Sequence, residues 1–323
     1  DDTDAVRAAF EAANARRVLA SGVGYRPGGT VVIPRGTYNL SSLDSPIVAS
    51  CNVEGSHGHL RVPPDYDDVV LLVGHEESGK VLHGAKVTCP DVTKNFGDVT
   101  SMVPGSVGVR IQNLYTSEVA CGRIWCFETG LHVTGLGIGS AYNKIFPGYI
   151  LYCEVGLQLR PLTGGWANSN TFISGEIANY TNTFDGFTSS DIFRSGYRHI
   201  QLDGAGINTV DCNSFLGVSC EGSLSQYVVE LKQADQNNFT GIRMETSNTS
   251  YAVIRSPAHL TVWQWAMRCG SARRPPSPPA SCPTSCMWST CRLPALSRCR
   301  TCAAARRSTA SPQVRMSCTG GCR

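Results

Sequence analysis

Six acidic residues recur along this chain at spacings that could bring carboxylates together: Glu128, Glu154, Glu176, Asp203, Glu221 and Glu245, at steps of 26, 22, 27, 18 and 24 residues. The first two sit in one pattern written twice, Gly122-x-Ile124-x-x-x-Glu128-x-Gly130-Leu131-x-Val133 and Gly148-x-Ile150-x-x-x-Glu154-x-Gly156-Leu157-x-Leu159. A period of about 20–50 residues marks stacked repeats, and equivalent positions in parallel coils lie about 4.8 Å apart. Alternation places Val218, Cys220, Ile242 and Met244 inward, so Glu221 and Glu245 are expected to point outward. Two outward carboxylates about 5 Å apart match the spacing of retaining glycosidases. Crowded like charges also raise one pKa and make a general acid available near neutrality. A structural reading competes: each acid stands just before a turn, where a carboxylate accepts backbone N–H groups. Turn chemistry is the better account of the ladder as a whole, and a catalytic pair is expected where its spacing breaks. The catalytic candidates are Glu176, Asp185, Asp203 and Glu221.

Aromatic residues crowd the same stretch. Trp166, Tyr180, Phe184, Phe187, Phe193 and Tyr197 lie near Glu176, Asp185 and Asp191, and aromatic faces stack on sugar rings. Trp166, Tyr180, Phe187, Tyr197, Arg198 and His199 are therefore the candidate substrate-binding residues, with His199 as an orienter. The competing reading is that these aromatics fold residues 180–198 onto the stack and that His199 is a packed, satisfied histidine. No metal ligand set, phosphate-binding loop, dinucleotide fingerprint or Ser-His-Asp signature is present, and no cofactor is expected. Calcium would enter only with a lyase mechanism.

The elements that must position these residues are short strands. Asn-x-apolar openings recur at Asn143, Asn170, Asn213 and Asn237. Phe215-x-Gly217-Val218-x-Cys220-Glu221 is repeated 24 residues later as Phe239-x-Gly241-Ile242-x-Met244-Glu245. Each alternates apolar with polar residues, as a strand with one buried face requires. No coil can bury its inner face alone, so neighbours must stack. Ahead of them, residues 1–13 read as a short amphipathic helix with Val6, Ala9, Phe10 and Ala13 on one face and Asp2 or Thr3 as N-cap. Residues 1–40 are thus a capping helix and strand, and 41–266 are coils with a loop excursion near 180–198.

Charge divides the chain. All 25 acidic residues precede Met267, against 18 basic ones in that part, while residues 267–323 carry ten Arg and no acid. An acidic body argues against nucleic acid as a partner. No run of about 18 apolar residues occurs, so no membrane span is expected. The tail, 267–323, holds eight of the fifteen cysteines and lacks Lys, Phe, Tyr, Ile and His. It could be a disulfide module, a zinc module, or the out-of-frame reading of a GC-rich gene. The abrupt loss of periodicity favours a non-native or disordered tail. The seven cysteines before it read as small buried hydrophobes. The chain opens without Met inside a motif, which points to a fragment.

Asp1-Asp2-Thr3-Asp4-Ala5-Val6-Arg7-Ala8-Ala9-Phe10, followed by Gly28-Gly29-Thr30-Val31-Val32-Ile33-Pro34-Arg35-Gly36-Thr37-Tyr38, resembles the N-terminal signature of the pectate-lyase-like superfamily, which includes polygalacturonase-related enzymes and phage tailspikes. That resemblance implies an all-β single-stranded right-handed parallel β-helix with a short capping helix. It implies a carbohydrate-active protein that binds and cleaves a polysaccharide; the acidic body disfavours a polyuronate, so hydrolysis of a neutral or mixed glycan is expected rather than elimination. The alternatives are a tailspike adhesin for cell-surface glycan, as a homotrimer, and a non-catalytic surface β-helix. The location implied is extracellular or virion-associated. The Asn-Thr-Asp, Asp-Asp, Gly-His-Gly and Arg-Ile-Lys elements of polygalacturonases do not occur here in order, and no Asp cluster accompanies Arg160, Arg194 and Arg198.

Overall fold

The computed structural model describes residues 1–94, 102–179, 183–184, 187–188, 197–206, 208–222, 225–245, 252–255 and 265–269. The fold is all-β with long parallel sheets, and Thr3–Asn14 is the one α-helix among the described residues. Its buried face is Val6, Phe10 and Ala13, with Thr3; Ala9, expected on that face, is exposed. The cap also differs from expectation. Asp1 supplies the side chain, accepting from the Thr3 N–H at 3.1 Å and the Thr3 hydroxyl at 2.7 Å. Asp2 instead accepts the Asn39 N–H at 2.8 Å and ties the helix to the strand Gly36–Asn39.

Successive strands feed four faces in turn. Val107–Gln112, Leu114–Tyr115, Glu118–Ala120 and Arg123–Trp125 make one circuit, and Thr129–Thr134 begins the next by pairing in parallel with Val107–Gln112. Repetition gives an eight-stranded sheet of the longer strands and a six-stranded sheet that starts with the antiparallel hairpin Val18–Ser21 and Gly24–Arg26. The two remaining faces merge into one sixteen-stranded sheet, because Asn238–Glu245 runs straight across the corner that divides them in earlier coils. This is a solenoid-like arrangement. Thr183–Phe184 and Phe187–Thr188 form an antiparallel pair outside these sheets. The strand Trp265–Cys269 pairs with Asn238–Glu245 and passes through residue 267, where the composition changes.

Like stacks on like in the interior. Val119, Ile145, Phe172, Phe215 and Phe239 follow one another in register. The Phe172, Phe215 and Phe239 rings stack at 4.7 and 4.5 Å, within 6° of parallel. Each fully buried Phe contributes about 2–3 kcal/mol of apolar burial. The four asparagines form a buried ladder beside them. Asn143 donates its side-chain N–H to Asn170 Oδ1 at 2.9 Å, Asn170 to Asn213 Oδ1 at 3.1 Å, and Asn213 to Asn237 Oδ1 at 2.9 Å.

The repeated Gly and Ile positions have a shared cause. A Cβ on Gly130 would lie 2.6 Å from Ile150 Cγ2, and one on Gly156 would lie 2.2 Å from Ile177 Cγ2. The glycine at the start of a circuit leaves room for the Ile on the last strand of that same circuit. Gly148 differs: its φ is 73°, and a Cβ there would meet the Cys121 and Gly122 carbonyl oxygens at 2.3 Å. Both the dihedral and the backbone clash penalise any side chain. Gly148→Ala is therefore expected to lower stability by roughly 2–4 kcal/mol, read as a shift of the urea midpoint at unchanged m-value. An unshifted midpoint would contradict this corner geometry.

Candidate functional site

The second half of the sixteen-stranded sheet positions the best candidate site. Its strands Asp91–Thr93, Arg123–Trp125, Tyr149–Leu151, Glu176–Asn179 and Ser219–Gly222, with the end of Asn238–Glu245, lie side by side in parallel. Their central residues, from Val92 and Ile124 to Ile177 and Cys220, are buried inside. The flanking positions therefore face outward in two rows. One row runs Asp91, Arg123, Tyr149, Glu176, Ser219, Arg243. The other runs Thr93, Trp125, Leu151, Ala178, Glu221, Glu245.

The expected single ladder of acids therefore splits. Glu221 and Glu245 are direct neighbours, whereas Glu176 sits opposite Ser219 in the other row. Glu176 and Glu221 are diagonal neighbours, a relation that places Cα atoms about 7–8 Å apart. Glu128 and Glu154 belong to another corner, just ahead of Thr129–Thr134 and Val155–Leu159. There Glu128 Oε2 accepts the Gly105 N–H at 2.6 Å, as turn chemistry requires, and Glu154 is buried. Asp203 ends a strand of the eight-stranded sheet and faces Lys232 Nζ at 3.8 Å. It is on a different face from Glu176 and Glu221, so these three candidates do not form one group.

Glu176 and Glu221 do share a cleft. It is shallow, about 440 Å³, and lined by Gly148, Tyr149, Ser174, Gly175, Glu176, Gly217, Ser219, Glu221 and Arg243. The glycines line one corner in three successive circuits, and lacking side chains they leave the cleft open between the strands. Ser219 donates its hydroxyl to Glu221 Oε1 at 2.7 Å, and Arg243 lies 3.7 Å from the same oxygen. Arg243 also donates to Glu245. The Tyr149 phenol is pushed above its ordinary pKa by partial burial and then by the negative charges of Glu176 and Glu221. It stays a hydroxyl and can donate a hydrogen bond. Further along the row, Arg123 lies over the Trp125 ring at 5.5 Å.

Beneath the cleft lies His199. It is fully buried, its Nε2 donates to the Glu221 carbonyl at 2.8 Å, and burial drives its pKa down to about 4. The ring is thus a packed neutral donor that supports the Glu221 backbone and does not reach a ligand outside. Tyr197, expected as a sugar platform, is also fully buried, with its ring edge-on to His199 at 4.7 Å. Its strand starts at the core, which removes it from any outer groove. Arg198 donates to buried Glu230 at 2.7 Å on the eight-stranded sheet, and Trp166 lies in the six-stranded sheet. Neither lines the cleft. Tyr180 and Asp185, and the side chain of Phe187, lie outside the described residues.

Tyr149, Ser219 and Arg243 were not singled out by sequence. The signal was present: Gly122-Arg123-Ile124, Gly148-Tyr149-Ile150 and Gly175-Glu176-Ile177 align on their isoleucines, and the middle residue of each is in the outward row. Elsewhere, His75, Glu76 and Glu77 bring ligand atoms within 4.8 Å of one another. The Arg17 guanidinium already stands 3.3 Å from Glu76 and 3.2 Å from His75 Nε2, so a cation is present there in the form of a side chain.

No helix among the described residues is long and apolar enough to cross a membrane. The chain matches no protein-family model and no curated protein. Among solved structures it is similar to Geobacillus virus E2 ORF18, at 14% identity and a TM-score of 0.46. That match covers 85% of this chain and 59% of the viral protein, so the chain spans about three-fifths of its length.

Proposed function

We propose that this is a carbohydrate-active protein of the pectate-lyase-like class, a single-stranded right-handed parallel β-helix that binds a polysaccharide along its outer groove and hydrolyses it. The observation that carries this reading is the convergence of Glu176, Glu221 and Tyr149 on one open cleft. A cleft open along the coil axis admits a chain molecule. Glu176 serves as general acid, and Glu221, oriented by Ser219 and Arg243, activates water. Their diagonal placement suits the wider carboxyl spacing of inverting enzymes, about 6.5–9.5 Å, better than the roughly 5 Å of retaining ones. The groove mixes Arg123 and Arg243 with the acids, which suits a neutral or mixed glycan. Such a protein works outside the cell or on a virion.

The test is cleavage of a glycan panel by the full chain, with products followed by reducing ends and anomeric configuration. Glu176→Gln and Glu221→Gln are each expected to lower kcat by at least about 100-fold with KM within a few-fold. Cleavage that survives both substitutions at full rate would remove these residues from the chemistry. The shallowness of the cleft favours a second reading, an adhesin that holds surface glycan without cutting it. Saturable glycan binding with no product, together with a trimer in sedimentation, would select that reading.

A further inference from the structure

Cys89 and Cys121 occupy equivalent positions in consecutive circuits. Each is one residue past its strand, Lys86–Thr88 and Glu118–Ala120, whose register pairs Thr88 with Ala120. The corner backbone is held on both sides: the Cys89 N–H donates to the Ala120 carbonyl at 2.7 Å and the Cys121 N–H to the Phe146 carbonyl at 2.8 Å. Adjacent strands lie about 4.8 Å apart, inside the Cα separation of roughly 4.4–6.8 Å that a disulfide spans. The two side chains are close enough to perturb each other electrostatically, and both thiols are free. Cys89 is buried, whereas Cys121 is half-buried and reaches the surface. We propose that Cys89 and Cys121 are a dithiol site that closes to a disulfide on meeting a disulfide oxidant such as glutathione disulfide, stapling two consecutive circuits. The site is independent of the glycan reading.

Order of attack follows from exposure. The Cys121 thiolate attacks one sulfur of glutathione disulfide; a protein–glutathione bond forms, the glutathione disulfide bond breaks, and the first glutathione leaves with the Cys121 proton. The Cys89 sulfur then attacks Cys121, and the second glutathione departs with the Cys89 proton. Two protein thiols lose two electrons, and glutathione disulfide is reduced to two thiols. The neighbouring Cys121 side chain and burial hold the Cys89 thiol well above its ordinary pKa, so it does not react first. No other described pair has this relation. Cys126 packs with Met102 and Leu151 outside the sheet, while Cys153 points into the main core on the other side. The register neighbours of Cys220 are Ile177 and Met244.

The full chain, incubated with glutathione disulfide under native conditions and alkylated, is expected to yield a Cys89–Cys121 cross-linked peptide by mass spectrometry. Its Tm is expected to rise by roughly 5–10 °C, reversed by reductant. Cys121→Ser, checked for a native circular dichroism spectrum, loses both the cross-link and the Tm shift. Two results overturn the proposal: Cys121 arrested as its glutathione adduct, or Cys89 and Cys121 both alkylated while exposed Cys212 is modified.

Discussion

Lowering the pH from 7 to 4 is expected to cost this fold on the order of 5–7 kcal/mol through two buried histidines alone. His132 is held to a pKa of about 3 by burial and then by the charge of Arg110, against the opposing effect of its bond to the Arg160 carbonyl. His199 is held to about 4 by burial, opposed by its bond to Glu221. Both are neutral in the folded chain and titrate near 6.5 once exposed. Between 6.5 and their folded values the unfolded chain binds more protons. Stability is therefore complete above about pH 6.5 and is lost as pH falls, at about 1.4 kcal/mol per pH unit for each ring. Burial lowers His59, His75 and His83 as well, which adds to the slope. Glu230, whose burial is outweighed by Gln201, Arg198 and Lys232, is held below its ordinary pKa; its stabilisation is complete above about 4.5 and adds to the loss as pH falls through and below that value.

The measurement is the urea midpoint at pH 7, 6, 5 and 4 for the parent chain and for His199→Gln. The glutamine amide can still donate to the Glu221 carbonyl but cannot take up a proton. Its stability curve is expected to lose one proton's worth of slope, about 1.4 kcal/mol per pH unit between 6.5 and 4. Equal slopes would mean that His199 titrates normally in the folded state. Because His199 supports Glu221 from beneath, ligand binding in the cleft is expected to fail on the acid side together with stability.

The sequence carried the architecture more fully than the site. The Asn-x-apolar openings are legible because a buried amide ladder and an inward apolar residue both repeat with the coil, and every one of Asn143, Asn170, Asn213 and Asn237 takes that place. The G-x-I frame is legible for the same reason: its glycine and isoleucine answer a contact made in every circuit. What it hid was register. Counting acids by sequence distance equated Glu176 with Glu128 and Glu154, although Glu176 precedes Ile177 while Glu128 follows Ile124 by four residues. Aligning on the isoleucines instead puts Glu176 beside Tyr149. Tyr197 and His199 were misplaced for a related cause. Clustering along the chain does not reveal which face of a strand is inward, and strict alternation from Ile200 would turn both residues outward; they are buried because alternation breaks here, with His199 and Ile200 adjacent and both buried.

Asn213→Ala is expected to cost roughly 3–5 kcal/mol, because this one side chain makes five hydrogen bonds to four residues. Its amide donates to the Ala167 carbonyl at 2.9 Å, the Asp211 carbonyl at 3.1 Å and Asn237 Oδ1 at 2.9 Å. Its Oδ1 accepts the Asn170 backbone N–H at 3.0 Å and the Asn170 side chain at 3.1 Å. All of these contacts except the part-buried one to Asp211 lie where water does not reach, so truncation leaves donors and acceptors unpaired, which costs more than the bonds themselves contribute. The ladder's N-terminal end shows a milder solution. Ser117 stands where an asparagine would, accepting the Ala85 N–H at 2.9 Å and donating to the Tyr115 carbonyl at 2.8 Å. Asn213→Ser should therefore recover part of the loss, whereas Asn213→Asp should not, since it buries a carboxylate against three acceptors. Asn170→Ala combined with Asn213→Ala should cost less than the sum of the singles, since both remove the bond between the two side chains. Strict additivity in that cycle would mean the asparagines act separately and are not one continuous network. In a stack where each circuit touches only its neighbours, that continuity is what couples the circuits bearing Glu176 and Glu221.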